Sequence, residues 1–240
     1  MRKIVAGNAL IGDTLLLWPL LSKTEPSQVI CTPRNLPAVA VLRDVVGFNI
    51  PEVVVVTEEG REANQLGGYD EWREQHGHTD GMGLRDTGHG TDLIAMQPFP
   101  RTDRLRSFRV TLQLESEHTW KNIRGIEEGV RACKWVDPAG GQYGLATCAL
   151  PTQQRTLGRV IRTSLPQVAT ELAVAALHVG ISSSITLLAY LMGTPTIMCC
   201  PGGWNTGTWD YDPTLLTILH DPTPFVITAC MNQIIEERYE

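Results

Sequence analysis

A chain of 240 residues is long enough for one large domain or for two domains of about 100 residues each. With 42% hydrophobic and 19% charged residues, the composition excludes a disordered or fibrous chain. The net charge of -6 argues against broad binding to nucleic-acid phosphates, although it leaves room for a local basic groove.

Six cysteines without a CxxC pair do not form a dense disulfide framework, and we expect free thiols in a reducing compartment. Glycines and an aspartate interrupt the apolar N-terminal stretch, which therefore does not match a signal peptide. No run of about 18 uncharged apolar residues occurs in the sequence. We therefore expect a cytoplasmic protein without a membrane span.

Short apolar runs alternate with helical patterns in the first part of the chain. Predicted strands cover 3–7, 28–33 and 51–57, and predicted helices cover 13–23 and 36–47. Pro19 is expected to kink the first helix, and Gly47 to end the second. Strands that are apolar throughout predict a parallel sheet with helices on both faces.

The apolar periodicity is lost over residues 58–92, which are rich in glycine and histidine. A loop of that length inside a compact domain is usually functional or mobile. A predicted strand at 93–99 closes the first half, and the basic segment 101–106 is the predicted linker. The sequence thus predicts an N-terminal domain at 1–103 and a C-terminal domain at 104–240.

The second half shows a further alternation of strand and helix patterns. The predicted elements are a strand at 108–115, a helix and a strand within 125–138, a strand at 158–163, a helix from 164 that runs into a strand at 177–181, a helix at 184–193, a strand at 194–200, a loop at 201–213 and a last helix near 222–239. Ser164 is the expected N-cap of the long helix. The last helix is a candidate for packing back on the first domain.

Asp13 follows a glycine-bounded turn, Gly7 to Gly12, at a predicted strand–helix junction. The turn lacks the Gly-Lys-Ser/Thr of a P-loop, and Asn8-Ala9 do not supply the middle glycine of a dinucleotide fingerprint. Two interpretations remain. Asp13 either caps the helix or is a catalytic carboxylate that the helix dipole keeps ionised.

Three serines, Ser182, Ser183 and Ser184, stand where a predicted strand ends and a helix begins. Hydroxyls and free backbone N–H groups at a helix N-terminus suit a diphosphate. Serines that only cap a buried helix give the same pattern. Both interpretations stay open on the residues alone.

These two segments together resemble the heptosyltransferase-like enzymes of glycosyltransferase family 9, and the chain is similar to a shortened member. The family's Gly-Asp-x-Leu and Pro-x-Leu correspond to Gly12-Asp13-Thr14-Leu15 and Pro19-Leu20-Leu21, and its Gly-Thr-Pro-Thr segment to 193–196. The resemblance implies an α/β chain of the GT-B class, with two Rossmann-like domains whose parallel sheets face each other across a cleft. The acceptor would bind to the first domain and a nucleotide-sugar to the second.

The resemblance implies transfer of a sugar from a nucleotide-sugar donor to an acceptor hydroxyl. Asp13 occupies the position of the family's general base, and Lys121 that of a lysine that contacts the donor phosphates. Lysine and oriented N–H donors are what a leaving nucleoside diphosphate requires. The other implied donor residues are Ser182, Ser183, Ser184 and Thr119, with Ser116 as a further candidate; the acceptor or loop candidates are Asn8, Gly12, Thr14, His89, Trp204 and Trp209.

The chain departs from the family pattern at two positions, because Ser182 replaces an aspartate and Leu187 a histidine. A nucleotide- or sugar-binding protein without turnover is therefore an alternative. The acceptor is a saccharide, a protein or a modified DNA base, and the basic strip at 101–109 favours DNA. The nucleobase or ribose is expected near 148–156, where no motif is recognisable.

Trp204, Trp209 and Tyr211 lie in an aromatic loop that is suited to stacking on a nucleobase, a sugar or an acceptor ring, or to packing between domains. The glycine- and histidine-rich segment is an acceptor-facing loop, a divalent-metal site or plain surface; its candidate ligands are His76, His78, Asp80, Asp86, His89 and Asp92. We expect no metal or other cofactor, and a monomer or weak dimer.

Overall fold

The computed structural model describes residues 3–5, 11–24, 27–55, 94–100, 106–116, 118–136, 143–149, 153–204 and 209–239. The described residues form two compact units. The first comprises those within 1–96, 164–166 and 208–210, and the second those within 97–163, 167–207 and 211–240. The predicted domain boundary at 103/104 lies in 101–105, outside the described residues.

The first unit contains a three-stranded parallel sheet of β1 (Lys3–Val5), β2 (Gln28–Cys31) and β3 (Val53–Val55), in that order. The connections hold α1 (Ile11–Leu15), α2 (Trp18–Thr24) and α3 (Leu36–Ala40), which continues as a π-helical turn, Val41–Val45. A second, two-stranded sheet pairs β4 (Ile94–Met96) with β10 (Trp209–Tyr211). The parallel α/β pattern that the sequence predicts for this half is confirmed.

The predicted first helix is two helices rather than one kinked helix. The chain leaves the helical conformation at Leu16 and Leu17, and Pro19 lies in the first turn of α2. A proline is tolerated there, because the first-turn N–H groups have no intrahelical partner. Gly47 ends the second helical segment as predicted, with a φ of 88° that favours glycine.

The second unit is built on a six-stranded parallel sheet. Its strands are β5 (Ser107–Gln113), β6 (Gly144–Cys148), β7 (Arg159–Ile161), β8 (Ala175–Ile181), β9 (Thr196–Cys200) and β11 (Leu216–His220), and they lie in the order β11-β9-β8-β5-β6-β7. Numbered within this unit, the order is 3-2-1-4-5-6 from β7 to β11, the doubly wound order of nucleotide-binding folds. The order reverses between β5 and β8, and ligands of such sheets bind beyond the carboxyl ends of the strands at that point.

Four helices cover this sheet: α4 (Ile126–Arg131), α5 (Leu165–Val174), α6 (Ser184–Leu191) and α7 (Pro224–Tyr239). Every residue of β8 is buried, as expected for a central strand with both faces covered. Helix α7 places Ile227, Met231 and Ile235, spaced four residues apart, in the core of the same unit. These three side chains of α7 therefore pack within the second unit.

Helix α5 runs directly into β8, with no loop between Val174 and Ala175. The guanidinium of Arg106 secures this junction, because it donates to the carbonyl oxygens of Ala173 (2.9 Å) and Gly193 (2.6 Å). It also donates to the Ala175 carbonyl at 3.2 Å and to the Thr194 hydroxyl at 3.0 Å. One side chain thus links the end of α5, the start of β8 and the turn after α6.

Two strands of the second sheet are not predicted from the sequence. In place of the strand expected within 125–138, the part of that segment that the structure describes has only an isolated bridge between Val136 and Tyr143. The strand itself, β6, lies further along the chain at Gly144–Cys148 and pairs with β5 and β7. The edge strand β11 is half-exposed along most of its length, so its sequence mixes apolar and polar residues and lacks a clear strand pattern. Among the described residues, no helix has the length and apolar character that a membrane crossing requires.

Candidate functional site

A short turn after β5 carries the predicted phosphate-binding lysine. Residues Thr119–Lys121 form one turn of 3-10 helix. The backbone N–H of Ser116 donates to Asn122 Oδ1 at 2.8 Å, and the N–H of His118 donates to the Ser116 hydroxyl at 3.2 Å. The turn that carries Lys121 is therefore fixed against the carboxyl end of β5.

Helix α6 begins at the carboxyl end of β8, on the other side of the reversal in strand order. Ser183 is its N-cap, and the Ser183 hydroxyl accepts a hydrogen bond from the N–H of Thr186 at 3.3 Å. The same hydroxyl donates to Gln113 Oε1 at the end of β5. Ser183 thus joins the two strands at the reversal, and the positive end of the α6 dipole lies there.

A buried histidine supports this helix start from below. His178 is fully buried, with Nδ1 at 3.0 Å from the Thr111 hydroxyl and Nε2 at 3.2 Å from the Thr186 hydroxyl. Burial lowers the pKa of His178 to about 3, so the ring is neutral at physiological pH. A side chain at Gly180 would collide with both Thr186 and His178. Small and polar residues under α6 therefore fix its first turn.

Ser182 contacts the end of β9, at the same edge of the sheet as Lys121. The buried Ser182 hydroxyl bonds to the Cys200 thiol, and burial raises the pKa of Cys200 to about 11. The Ser182 hydrogen bond and the positive charge of Lys121 both oppose that rise. Because β5, β8 and β9 are parallel neighbours, the residues that follow them lie at the same edge of the sheet. Lys121, Ser182 and the start of α6 consequently lie at one edge of the sheet.

A tight turn after β9 brings Trp204 to the same edge. The N–H of Trp204 donates to the Pro201 carbonyl at 3.2 Å, and Gly203 has a φ of 80°, as in a type II turn. The Trp204 ring lies 5.0 Å from the Trp120 ring, measured between centroids. Lys121 Nζ lies 4.8 Å from the Trp204 centroid and 5.3 Å from that of Trp120. We call Trp120, Lys121 and Trp204 the indole platform.

On the β6 side of the reversal, the segment Gln153–Arg155 folds onto Glu115. The Glu115 carboxylate accepts hydrogen bonds from the N–H of Gln154 (2.7 Å) and of Arg155 (3.1 Å). Gln153 Nε2 donates to the Glu115 carbonyl at 2.9 Å. This segment belongs to the region in which the nucleobase or ribose is expected.

The structure thus brings the predicted donor residues to one place in the second unit, at the carboxyl edge of its sheet. Lys121, Ser183 and Ser184 are half-buried there, and Thr119 is exposed at the start of the lysine turn. Ser182 is buried against Cys200, so its side chain supports the site from beneath. Trp120 completes the group and is not predicted from the sequence, because a single indole in a loop carries no pattern.

The predicted acceptor-side residues are placed differently. Asp13 is the third residue of α1, and its side chain lies outside the described residues, so its capping and catalytic roles both stay predictions. Thr14 is fully buried, and its hydroxyl accepts a hydrogen bond from Asn35 Nδ2 at 2.7 Å, so it anchors α1 instead of facing an acceptor. Gly12 is also buried in α1. Trp209 lies on β10 and belongs to the first unit, whereas the indole platform belongs to the second.

Several predicted residues lie outside the described residues. These are Asn8, His89 and the other candidate ligands His76, His78, Asp80, Asp86 and Asp92. Among the residues that the structure describes, no group of three His, Cys, Asp or Glu side chains is arranged to hold a metal ion.

The basic strip at 101–109 does not provide a described cationic surface. Arg106 is engaged in the junction of α5 and β8, and Arg109 is ion-paired with Glu171, which also pairs with Arg159 at 2.9 Å. Residues 101–105 lie outside the described residues. The two described arginines therefore lend no support to a DNA-binding strip.

Comparison with known proteins identifies the fold. No protein-family model and no curated protein sequence matches the chain. Among solved structures, it is similar to a glycosyl transferase family 9 protein from Veillonella parvula DSM 2008, with 13% identity and a TM-score of 0.56 over 98% of this chain and 88% of that one. It is also similar to E. coli heptosyltransferase WaaC with ADP, with 12% identity and a TM-score of 0.55 over 99% of this chain and 97% of that one.

A third similar structure is the dodecameric iron-containing heptosyltransferase TibC in complex with ADP-D-beta-D-heptose, with 13% identity and a TM-score of 0.52 over 98% of this chain and 76% of that one. These similarities confirm the predicted fold class, an α/β chain with the GT-B fold. The resemblance to heptosyltransferase-like family 9 proteins is confirmed at the level of the fold.

Proposed function

We propose that the protein is a glycosyltransferase that moves a sugar from a nucleotide-sugar to an acceptor hydroxyl. One observation carries the proposal. Lys121 follows β5 and the Ser183-capped α6 follows β8, so both lie beyond the carboxyl ends of the two strands between which the strand order reverses. A cation beside a helix N-terminus is suited to a diphosphate, and this part of a doubly wound sheet is where nucleotides bind. The similar fold of a heptosyltransferase with ADP supports the same interpretation.

The proposed reaction is a single displacement at the anomeric carbon, by analogy an inverting one. The Asp13 carboxylate takes the proton of the acceptor hydroxyl as the oxygen forms its bond to the anomeric carbon. The bond from that carbon to the diphosphate oxygen breaks, and the nucleoside diphosphate leaves with the electron pair. Lys121 and the N–H groups of α6 stabilise the charge that develops on the leaving group.

Donor binding is tested with a panel of nucleoside diphosphates in a thermal-shift assay, since a ligand of the folded state raises the melting temperature. We expect at least one diphosphate to raise it. Lys121→Gln should weaken that ligand by about tenfold or more, because a charge-assisted hydrogen bond is lost. Lys134→Gln is the control, because Lys134 also lies over an indole, at 4.7 Å from the Trp135 centroid, but before the amino end of β6.

The role of Asp13 is tested with Asp13→Ala and with nucleotide-sugars built on the nucleoside diphosphate that binds in that panel. We expect transfer or donor hydrolysis to fall by about 100-fold or more, as for loss of a general base, while donor affinity persists. Unchanged turnover would exclude Asp13 as the base. Treatment with EDTA should leave turnover unchanged, because the proposed reaction uses no metal.

A second candidate function is nucleotide-sugar binding without turnover. It is favoured by Ser182, which is buried against Cys200 where the family pattern has an aspartate, and by Leu187 in place of the histidine. Slow hydrolysis of the donor by the pure protein, lost in Asp13→Ala, supports the transferase. Tight donor binding with the same background hydrolysis in both proteins supports the binding protein.

A further inference from the structure

The indole platform exposes the Trp120 ring beside the proposed diphosphate site. Trp120 is 57% exposed, an unusual exposure for a tryptophan, whose large apolar surface is normally buried. Its ring lies against Trp204 at 5.0 Å between centroids, with the Lys121 ammonium over both rings. The arrangement keeps two indoles and a cation together at the edge of the sheet.

The platform connects to the start of α6 through a short series of contacts. Ser183 caps α6, the N–H of the adjacent Ser182 donates to the Cys199 carbonyl on β9 at 3.1 Å, and the turn to Trp204 follows directly after β9. A diphosphate that binds between Lys121 and α6 therefore has the platform as its neighbour on the β9 side. On the opposite side, toward β6, its neighbours are Glu115 and the segment Gln153–Arg155.

The two ends of a nucleotide-sugar can be assigned to these two sides. In doubly wound sheets the ribose is recognised by a residue just beyond the second strand of the nucleotide-binding half. In this sheet the second strand is β6, which the segment Gln153–Arg155 follows. With the nucleoside on the β6 side, the sugar extends toward β9 and the indoles.

Resting on the proposed function, we propose that the indole platform binds the transferred sugar, with the exposed face of Trp120 packed on the C–H face of the sugar ring. The negatively polarised face of an indole attracts the positively polarised C–H bonds, and the hydroxyls around the ring remain free for polar groups. Lys121 then serves the diphosphate and the platform together. Trp120 and Trp204 are specificity residues for the sugar, whereas Lys121 acts on every diphosphate.

The test compares matched pairs of ligands that share a nucleoside diphosphate and differ only in the sugar: ADP with ADP-glucose, GDP with GDP-mannose and UDP with UDP-glucose. Affinities are measured by titration calorimetry on the full chain. For the base that binds, we expect Trp120→Ala to weaken the sugar conjugate by about tenfold and the bare diphosphate by no more than about twofold. Lys121→Gln should weaken both members of the pair.

Trp135→Phe is the control, because Trp135 also lies beneath a lysine. Within the described part of the chain, its indole N–H, like that of Trp204, is buried without a hydrogen-bond acceptor. Trp120 is exposed, so its replacement should leave the melting temperature unchanged; Trp204→Phe, checked in the same way, is the second variant. Equal weakening of both ligands by Trp120→Ala, or no effect on either, would overturn the inference. If no ligand of any pair binds the unaltered protein, the proposed function itself fails.

Discussion

His178 lies in the core of the second unit, between the hydroxyls of Thr111 and Thr186. Burial lowers its pKa to about 3, whereas a histidine in the unfolded chain titrates near about 6.5. Between these two values the unfolded chain binds a proton that the folded chain does not. His178 therefore removes stability as the pH falls from about 6.5 toward about 3, by at most about 1.4 kcal/mol per pH unit.

We expect His178→Gln to reduce this loss, because glutamine can donate and accept hydrogen bonds but does not titrate. The measurement is the free energy of unfolding in urea at several pH values from 8 to 4. The two proteins should give parallel profiles above pH 7 and diverge below about pH 6.5. Profiles that stay parallel down to pH 4 would show that His178 titrates normally in the folded protein.

Several elements of the second unit meet at Arg106, whose guanidinium serves the last turn of α5, the start of β8 and the turn after α6. Lysine cannot reproduce that planar set of donors. We expect Arg106→Lys to lower the free energy of unfolding by about 2 kcal/mol or more. Arg109→Lys, which alters a half-exposed ion pair with Glu171, should cost less than about 1 kcal/mol. Urea denaturation of the two variants checks the difference, and equal costs would contradict it.

The turn that places Trp204 depends on the positive φ of Gly203. Gly47 provides a matched position, since it has a similar φ of 88° and, like Gly203, no described atom within 4 Å of an added Cβ. Alanine at either site should cost about 1 kcal/mol of backbone strain. Only Gly203→Ala should also weaken the sugar conjugate relative to its bare diphosphate. An equal effect of Gly47→Ala on binding would show that the difference in affinity between the sugar conjugate and the bare diphosphate does not depend on the Gly203 turn.

Across the whole molecule, the cysteines report on the stability of the two units. Cys31 is buried in the first unit, and Cys148 and Cys199 are buried in the sheet of the second. Burial raises the pKa of each of these thiols, so labelling requires opening of the surrounding structure. The first unit has the smaller sheet, and we expect Cys31 to be labelled before Cys148 and Cys199.

The measurement is mass spectrometry of peptides after timed exposure of the native protein to a thiol reagent. Denatured protein, in which all six cysteines should react quickly, is the control. Equal labelling rates for Cys31 and Cys148 would show that the two units open together.

The sequence is sufficient to predict the parallel α/β character of the second half, because β8 and β9 are mostly apolar and Gly193 and Ser183 bound the helix between them. It is insufficient for β6, whose Gly144 and Ala146 weaken the strand signal, and for the half-exposed edge strand β11. Those two strands pair through contacts between distant parts of the chain, which a local pattern does not contain.

In the candidate site, too, some features can be predicted from the local sequence and others depend on how the strands are arranged. The positions of Lys121 and the serine segment are predictable, because each follows a recognisable strand, whereas their donor-binding role comes from the family resemblance. The proximity of Trp120 to Trp204 is not, because the two residues follow different strands, β5 and β9, that are not neighbours in the sheet. Only the strand order, with β8 between them, and the turn at Gly203 bring the rings together.

Strand β8 is buried along its whole length, hydrogen-bonded to β5 on one side and β9 on the other, and continuous with α5 at its start. Its amide protons should therefore be among the last to exchange with deuterium, at rates set by global unfolding. The first turn of α6 follows this strand after only Ser182 and Ser183. The proposed phosphate-binding N–H groups are thus attached to the segment expected to open last, and we expect them to stay in position when edge strands such as β7 and β11 open.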